Sequence, residues 1–91
     1  MQLLIAYDIQ DDKRRKKISD ILEGFGYRVN YSVFELSITK TKYIKLLSQC
    51  EEILVKKEDS LRIYHLCEKC VLQCVELCDK PSVFEQKDMF V

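Results

Sequence analysis

One acid and a block of cations are the residues in this chain best suited to chemistry on a phosphate ester. Asp8 follows the apolar run Leu3-Leu4-Ile5-Ala6-Tyr7 and precedes Ile9, a setting in which a carboxylate needs solvent or a partner. Downstream, Lys13-Arg14-Arg15-Lys16-Lys17 are five consecutive cations in the first turns of a predicted helix. The dipole at that end of a helix disfavours positive charge by ~0.3–1 kcal/mol per exposed group. Five residues span more than one turn, so some of these side chains face away from the buried stripe of the helix, toward whatever approaches the end of the first strand. Phosphates suit that place, because basic side chains and helix N-terminal amides neutralise a nucleic-acid backbone without reading its sequence. Arg28 adds a guanidinium able to grip a phosphate through paired hydrogen bonds, and Phe34 a ring able to stack on a base or fill the core. Each feature has a plainer structural use. Asp8 can cap a backbone N–H, Asp11, Asp12, Asp20 and Glu23 can offset the cations on a solvated face, and Arg28 can pair with Glu23 or Glu35.

The elements that must position these residues follow from periodicity. Gln2 to Ile9 is too short for an ordinary helix and reads as a buried strand, with Asp11 or Asp12 capping the helix that follows. Ile18, Ile21, Leu22 and Phe25 form one helical stripe, which Gly24 and Gly26 end. Tyr27 to Ile38 is rich in Tyr, Val, Phe and Ile and reads as two strands turning near Asn30 to Ser32. Thr39 or Thr41 caps a second helix to about Lys57, with Tyr43, Leu47, Cys50 and Leu54 on one face. Leu61 to Leu66 alternates as a fourth strand, and Val71 to Leu77 is read as a fifth. The order predicts an α+β fold, a ferredoxin-like βαββαβ sandwich with an extra C-terminal strand. Such a sheet has one bare face, yet Leu3 to Tyr7 is apolar at every position, so a second copy of the chain is expected to cover it as a homodimer.

Length and composition agree. Ninety-one residues, 47% hydrophobic and 33% charged, allow a single packed domain and exclude disorder by composition. Residues 1–78 are read as the domain and 79–91 as a polar tail whose Val83-Phe84 and Met89-Phe90-Val91 dock by strand addition on the sheet of a second copy or on a larger partner protein. The net charge is zero, but residues 1–45 hold nine basic and six acidic groups and residues 46–91 six and nine, so the halves carry +3 and −3. No membrane span is present, and the first apolar run lacks the form of a signal peptide; a cytoplasmic protein with no membrane partner is expected.

Five cysteines, Cys50, Cys67, Cys70, Cys74 and Cys78, are read as thiols. On a strand, Cys70, Cys74 and Cys78 would fall on one face about 13 Å apart at each step, too far for one tetrahedral ion. Cys67 with Cys70 can still form a pair. His65 is read as an ordinary strand residue.

Tyr7-Asp8-Ile9, Asp11-Asp12, the basic helix start, Leu22 through Glu35 (LEGFGYRVNYSVFE) and Arg62-Ile63-Tyr64 together resemble the small CRISPR-associated spacer-acquisition protein, over about residues 1–66. The resemblance implies a ferredoxin-like homodimer that sits between copies of the larger CRISPR integrase and holds the DNA fragment to be inserted. For several members it also implies a Mg²⁺-dependent endonuclease acting on RNA or double-stranded DNA. Asp8 matches the family's metal-binding, catalytic position, and Tyr7, Arg15, Arg28, Ser32 and Phe34 align with its functional set. With the cations, the expected nucleic-acid contacts are Tyr7, Lys13, Arg14, Arg15, Lys16, Lys17, Arg28, Ser32 and Phe34. Because each chain offers one such acid, two Asp8 carboxylates near a twofold axis would hold one hydrated metal. Two other readings stand beside this one: a non-catalytic adaptor that clamps DNA and bridges integrase subunits, and a toxin-like RNA nuclease acting without an integrase.

Overall fold

Strand β1 (Gln2–Asp8) leads into helix α1 (Asp12–Glu23), strands β2 (Tyr27–Asn30) and β3 (Val33–Ser37), helix α2 (Lys40–Ile53), strand β4 (Ser60–Leu66) and a short helix α3 (Glu68–Leu72). These assignments come from a computed structural model, which describes residues 1–84. The strands form one antiparallel sheet in the order β2-β3-β1-β4, so β1 is central and pairs with β3 on one edge and β4 on the other. That order is the ferredoxin-like one expected from βαββαβ.

Alternation along the strands sorts the two faces. Leu3 and Ile5 of β1, Phe34 and Leu36 of β3, and Ile18, Leu22 and Leu46 of the helices are fully buried and form the core between sheet and helices. Each such side chain contributes about 1.5–3 kcal/mol of burial. In α2 the buried face is Leu46 and Cys50, with Tyr43 and Ile53 packed against it, so Leu46 takes the place expected of Leu47. The helix ends at Ile53, four residues before Lys57.

Both caps form as their sequences require. Asp11 accepts the Arg14 N–H at 2.9 Å, and Thr39 accepts that of Lys42 at 3.2 Å. After α1, the Gly26 N–H bonds the Leu22 carbonyl, and the chain passes hard against β3. A Cβ on Gly26 would meet the Glu35 carbonyl oxygen at 2.5 Å and Leu36 Cγ at 2.6 Å.

The predicted fifth strand is absent. Cys67 caps α3, which takes the first residues of Val71 to Leu77, and the chain then runs without a strand. Cys, Glu, Lys and Leu suit a helical turn as well as a strand, and seven residues were too few for periodicity to separate the two. Nor does residue 79 begin a segment lying away from the domain. Ser82 donates to Glu35, a side chain on the face of β3 opposite Phe34, and Val71 and Phe84 are buried. Residues 67–84 therefore return across part of the sheet's second face, the face expected to be bare. Met89-Phe90-Val91 lies outside the described residues.

A bidentate ion pair joins α1 to the approach of β4. Arg14 Nε and Nη2 donate to the two carboxylate oxygens of Asp59 at 2.9 and 3.1 Å, and the Val55 N–H adds a third bond at 2.8 Å. The Asp59 side chain is only 1% exposed. The Arg14 hydrogen bond, then that from Val55, holds its carboxyl below the ordinary carboxylate value.

Two predictions concern these contacts. Gly26→Ala should destabilise the protein by about 1–3 kcal/mol, because backbone and the packed Leu36 must move; urea unfolding measures this, with Gly24→Ala, whose Cβ meets nothing nearer than 3.3 Å, as the milder comparison. Asp59→Asn should lower the Tm at pH 7. A carboxyl depressed in the folded state stabilises above its unfolded value of about 3.9 and loses that contribution as pH falls through the folded value. The Tm gap between wild type and Asp59→Asn should therefore narrow below about pH 4.

Candidate nucleic-acid interface

The C-terminal end of β1 is where the expected site residues converge, and β1 deals them to two sides. Tyr7 faces the helices and is 6% exposed, whereas Asp8, the next residue, belongs to the opposite face and is exposed. Asp8 pairs in register with Ser60 of β4, and one carboxylate oxygen accepts a hydrogen bond from Gln10 Nε2 at 3.2 Å. Among the described residues no group of three or more His, Cys, Asp or Glu side chains gathers around a common point. Asp8 is thus an exposed carboxylate with a single side-chain partner among the described residues.

On the helix side, the turn between β2 and β3 is tied to β1. The Tyr7 N–H bonds the Ser32 carbonyl at 3.1 Å, and the Tyr7 hydroxyl donates to the Tyr31 carbonyl at 3.0 Å. Arg28 Nη1 donates to the same Tyr31 carbonyl at 2.8 Å, while Nη2 reaches Glu23 at 2.7 Å and the Ser19 hydroxyl. The bond to Glu23 raises the Arg28 pKa further and keeps the guanidinium charged. Its carbon lies 4.9 Å from the centre of the Phe34 ring, a cation–π contact. Tyr7, Asp12, Arg15, Lys16, Ser19, Arg28 and Tyr31 line a shallow groove of about 250 Å³.

The cations of α1 divide by the partners they find. Arg14 is held by Asp59, with Asp11 and Glu58 nearby, so it secures the fold and is not presented to a ligand. Arg15 donates to the carbonyls of Ile9 and Gln10 at 3.0 and 3.2 Å and to Asp12, which places its guanidinium beside the chain that leaves Asp8. Lys16 pairs with Asp20 at 3.1 Å on the surface, a contact worth about 0.3–0.5 kcal/mol that a phosphate can displace. Lys13 and Lys17 are exposed and make no ion pair among the described residues.

Phe34 differs from expectation. It is fully buried, stacked against Tyr7 with ring centres 6.4 Å apart, and cannot offer a face to a base. Tyr7 is likewise a buried support for the turn. Stacking capacity lies instead with Tyr31, 88% exposed at the tip of the β2–β3 turn. Turn position was the only signal for it in the sequence. Ser32 is half-buried in the same turn, with its backbone engaged. Ser19, which holds Arg28 from α1, and Asp59, which removes Arg14, were not legible either, because both act across the fold.

The cysteines do not gather into a metal site. Cys50 is buried, and burial, then Glu51, pushes its thiol up to about 11, leaving it unreactive. Cys67, Cys70, Cys74 and Cys78 are exposed.

Comparison with known proteins bears on the family and the fold. The family model described as CRISPR associated protein Cas2 matches residues 1–74. A Synechocystis sp. protein named CRISPR-associated endoribonuclease Cas2 3 is 54% identical over 63 residues, covering 69% of this chain and 68% of that one. A Chloroflexus aurantiacus protein of the same name, numbered 1, is 39% identical over 92 residues, covering 100% and 99%. Among solved structures, Streptococcus pyogenes Cas2 superposes with a TM-score of 0.74 at 28% identity, covering 86% of this chain and 100% of that one. A chain of a partial Cas6-RT-Cas1–Cas2 complex does so with a TM-score of 0.72 at 32% identity, covering 84% and 89%. A match over 74 of 91 residues, a span that includes Asp8, Arg15 and Arg28, shows that the chain belongs to the CRISPR-associated protein Cas2 family.

Proposed function

We propose that this chain is a nucleic-acid-binding homodimer of CRISPR spacer acquisition that hydrolyses phosphodiesters of RNA or double-stranded DNA with Mg²⁺. The observation that carries the reading is Asp8, an exposed carboxylate at the end of a central apolar strand, beside the Ile9 and Gln10 carbonyls that hold Arg15. The curated relatives named endoribonuclease support a nuclease.

The donor set fits Mg²⁺. This ion takes one or two carboxylates, keeps several waters and accepts phosphate oxygens, so it needs no cluster of protein ligands within one chain. Asp8 and the Asp8 of a second copy would hold it, and bound there it would supply Lewis acidity toward a phosphodiester oxygen. The chain's own residues do the rest. Arg15, Lys16, Arg28, Lys13 and Lys17 neutralise backbone phosphates, Gln10 orients the Asp8 carboxylate, and the exposed ring of Tyr31 is available to a base.

Pairing with a second copy is supported by apolar side chains that the C-terminal segment leaves in solvent. Val29 and Tyr64 on the second face of the sheet are 48% and 47% exposed, and Val75 and Leu77 are 77% and 90% exposed. The similar chain found in a complex of Cas1 with Cas2 supports the integrase as the larger partner. No helix among the described residues is long and apolar enough to cross a membrane.

A nuclease assay on RNA and on double-stranded DNA, with Mg²⁺ and with chelator, tests the reading. Asp8→Ala should lower cleavage by about 10²-fold or more, since metal charge stabilisation is worth several kcal/mol, while light scattering still shows a dimer. Cleavage at the wild-type rate would refute catalysis by Asp8 and leave the adaptor. In filter binding, Lys13→Gln and Lys17→Gln should each reduce the salt slope by roughly one. Arg14→Gln should instead lower the Tm.

A further inference from the structure

Two of the four exposed cysteines, Cys67 and Cys70, lie at the end of the sheet away from Asp8. In the β1–β4 ladder Asp8 pairs with Ser60 and Gln2 with Leu66, so Cys67 leaves the opposite end, about 20 Å along the strand. The site described above makes no use of these thiols.

Cys67 and Cys70 stand apart from the other two. Cys67 is the N-cap of α3, and its sulfur accepts the Cys70 N–H at 3.4 Å. Residues three apart around one helical turn have Cα atoms within the roughly 4.4–6.8 Å that a disulfide bridges. Both residues are exposed. Cys74 lies against the same turn, but its sulfur donates to the Cys70 carbonyl at 3.3 Å and not to a thiol. The two thiols also differ in readiness. Hydrogen bonds from the Cys70 backbone and side chain hold the Cys67 thiol below its ordinary value, and the bond to Cys67 holds Cys70 above it. A thiol that ionises more readily beside one that holds its proton longer is the arrangement of an attacking and a resolving cysteine.

We propose that Cys67 and Cys70 are a redox-active dithiol that exchanges with small-molecule disulfides of the glutathione class and closes into an intramolecular disulfide. The Cys67 thiolate attacks one sulfur of glutathione disulfide, the external S–S bond breaks, and one glutathione thiolate leaves. Cys70, losing its proton, attacks the Cys67 sulfur of the mixed disulfide and expels the second glutathione thiolate. Two protein thiols are oxidised, one external disulfide is reduced to two thiols, and the two protons pass to the departing thiolates. The closed form staples the turn that leads into Val71, the first buried residue of the segment crossing the sheet's second face.

The experiment treats the full chain with glutathione disulfide, blocks remaining thiols and maps products by mass spectrometry. Trypsin cuts after Lys69, leaving Cys67 on one peptide and Cys70, Cys74 and Cys78 on the other, so fragmentation identifies the linked partner. Wild type and Cys74→Ser should both form the Cys67–Cys70 link. Cys70→Ser, which keeps the backbone N–H bond to the Cys67 sulfur, should trap glutathione on Cys67, and Cys67→Ser should trap it on Cys70 more slowly. In denaturant that difference should vanish. Equal trapping rates in the two folded variants, a link to Cys74 or Cys78, or the same difference persisting in denaturant would overturn the proposal. None of these readouts depends on nuclease activity, so failure here is separate from failure of the proposed function.

Discussion

The central place of β1 is the constraint on which the rest depends. With β3 on one edge and β4 on the other, its backbone groups are satisfied within the sheet, so its side chains can be apolar on both faces. Leu3, Ile5 and Tyr7 enter the core, while Leu4 and Ala6 fall on the second face. Alternation then leaves Asp8, between the buried Tyr7 and Ile9, on the face away from the helices. A one-residue slip would exchange the faces and put that carboxylate among Leu22 and Phe34, where an unpaired charge costs several kcal/mol. The register that buries the core is therefore the one that presents the acid.

Around this strand end the basic residues are graded by how firmly they are held. Arg14 is locked to a buried carboxylate, Arg15 and Arg28 are braced by carbonyls and acids while part of each guanidinium meets solvent, and Lys13 and Lys17 extend outward. Asp11, Asp12, Asp20 and Asp59 offset the unfavourable position of five cations near a helix start. The braced arginines lose little rotamer entropy when they meet a phosphate, and the lysines add charge that salt screens.

The C-terminal segment changes the surface available for assembly. By covering Glu35 with Ser82 and burying Val71 and Phe84, it narrows the second face of the sheet and carries its own exposed apolar residues, Val75 and Leu77, to the outside. The thiol pair begins this segment and Asp8 lies at the far end of the sheet, so the two chemistries are separated by the length of a strand.

Much of this was legible in the sequence, because what sets it is local. Strand and helix periods, the caps at Asp11 and Thr39, the turn between Asn30 and Val33, the isolated acid and the basic helix start are written in neighbouring residues, and they led to the βαββαβ order. Where they failed, the deciding contact lay elsewhere in the chain. Asp59 takes Arg14 from 45 residues away, Phe34 is buried by Tyr7 and Arg28 and leaves stacking to Tyr31, and the segment read as a fifth strand begins in a short helix whose Val71 is buried and continues without a strand. Periodicity says which side of an element is apolar. Which charge a given cation meets, and which ring is left in water, depends on packing between elements, and only the tertiary structure decides it.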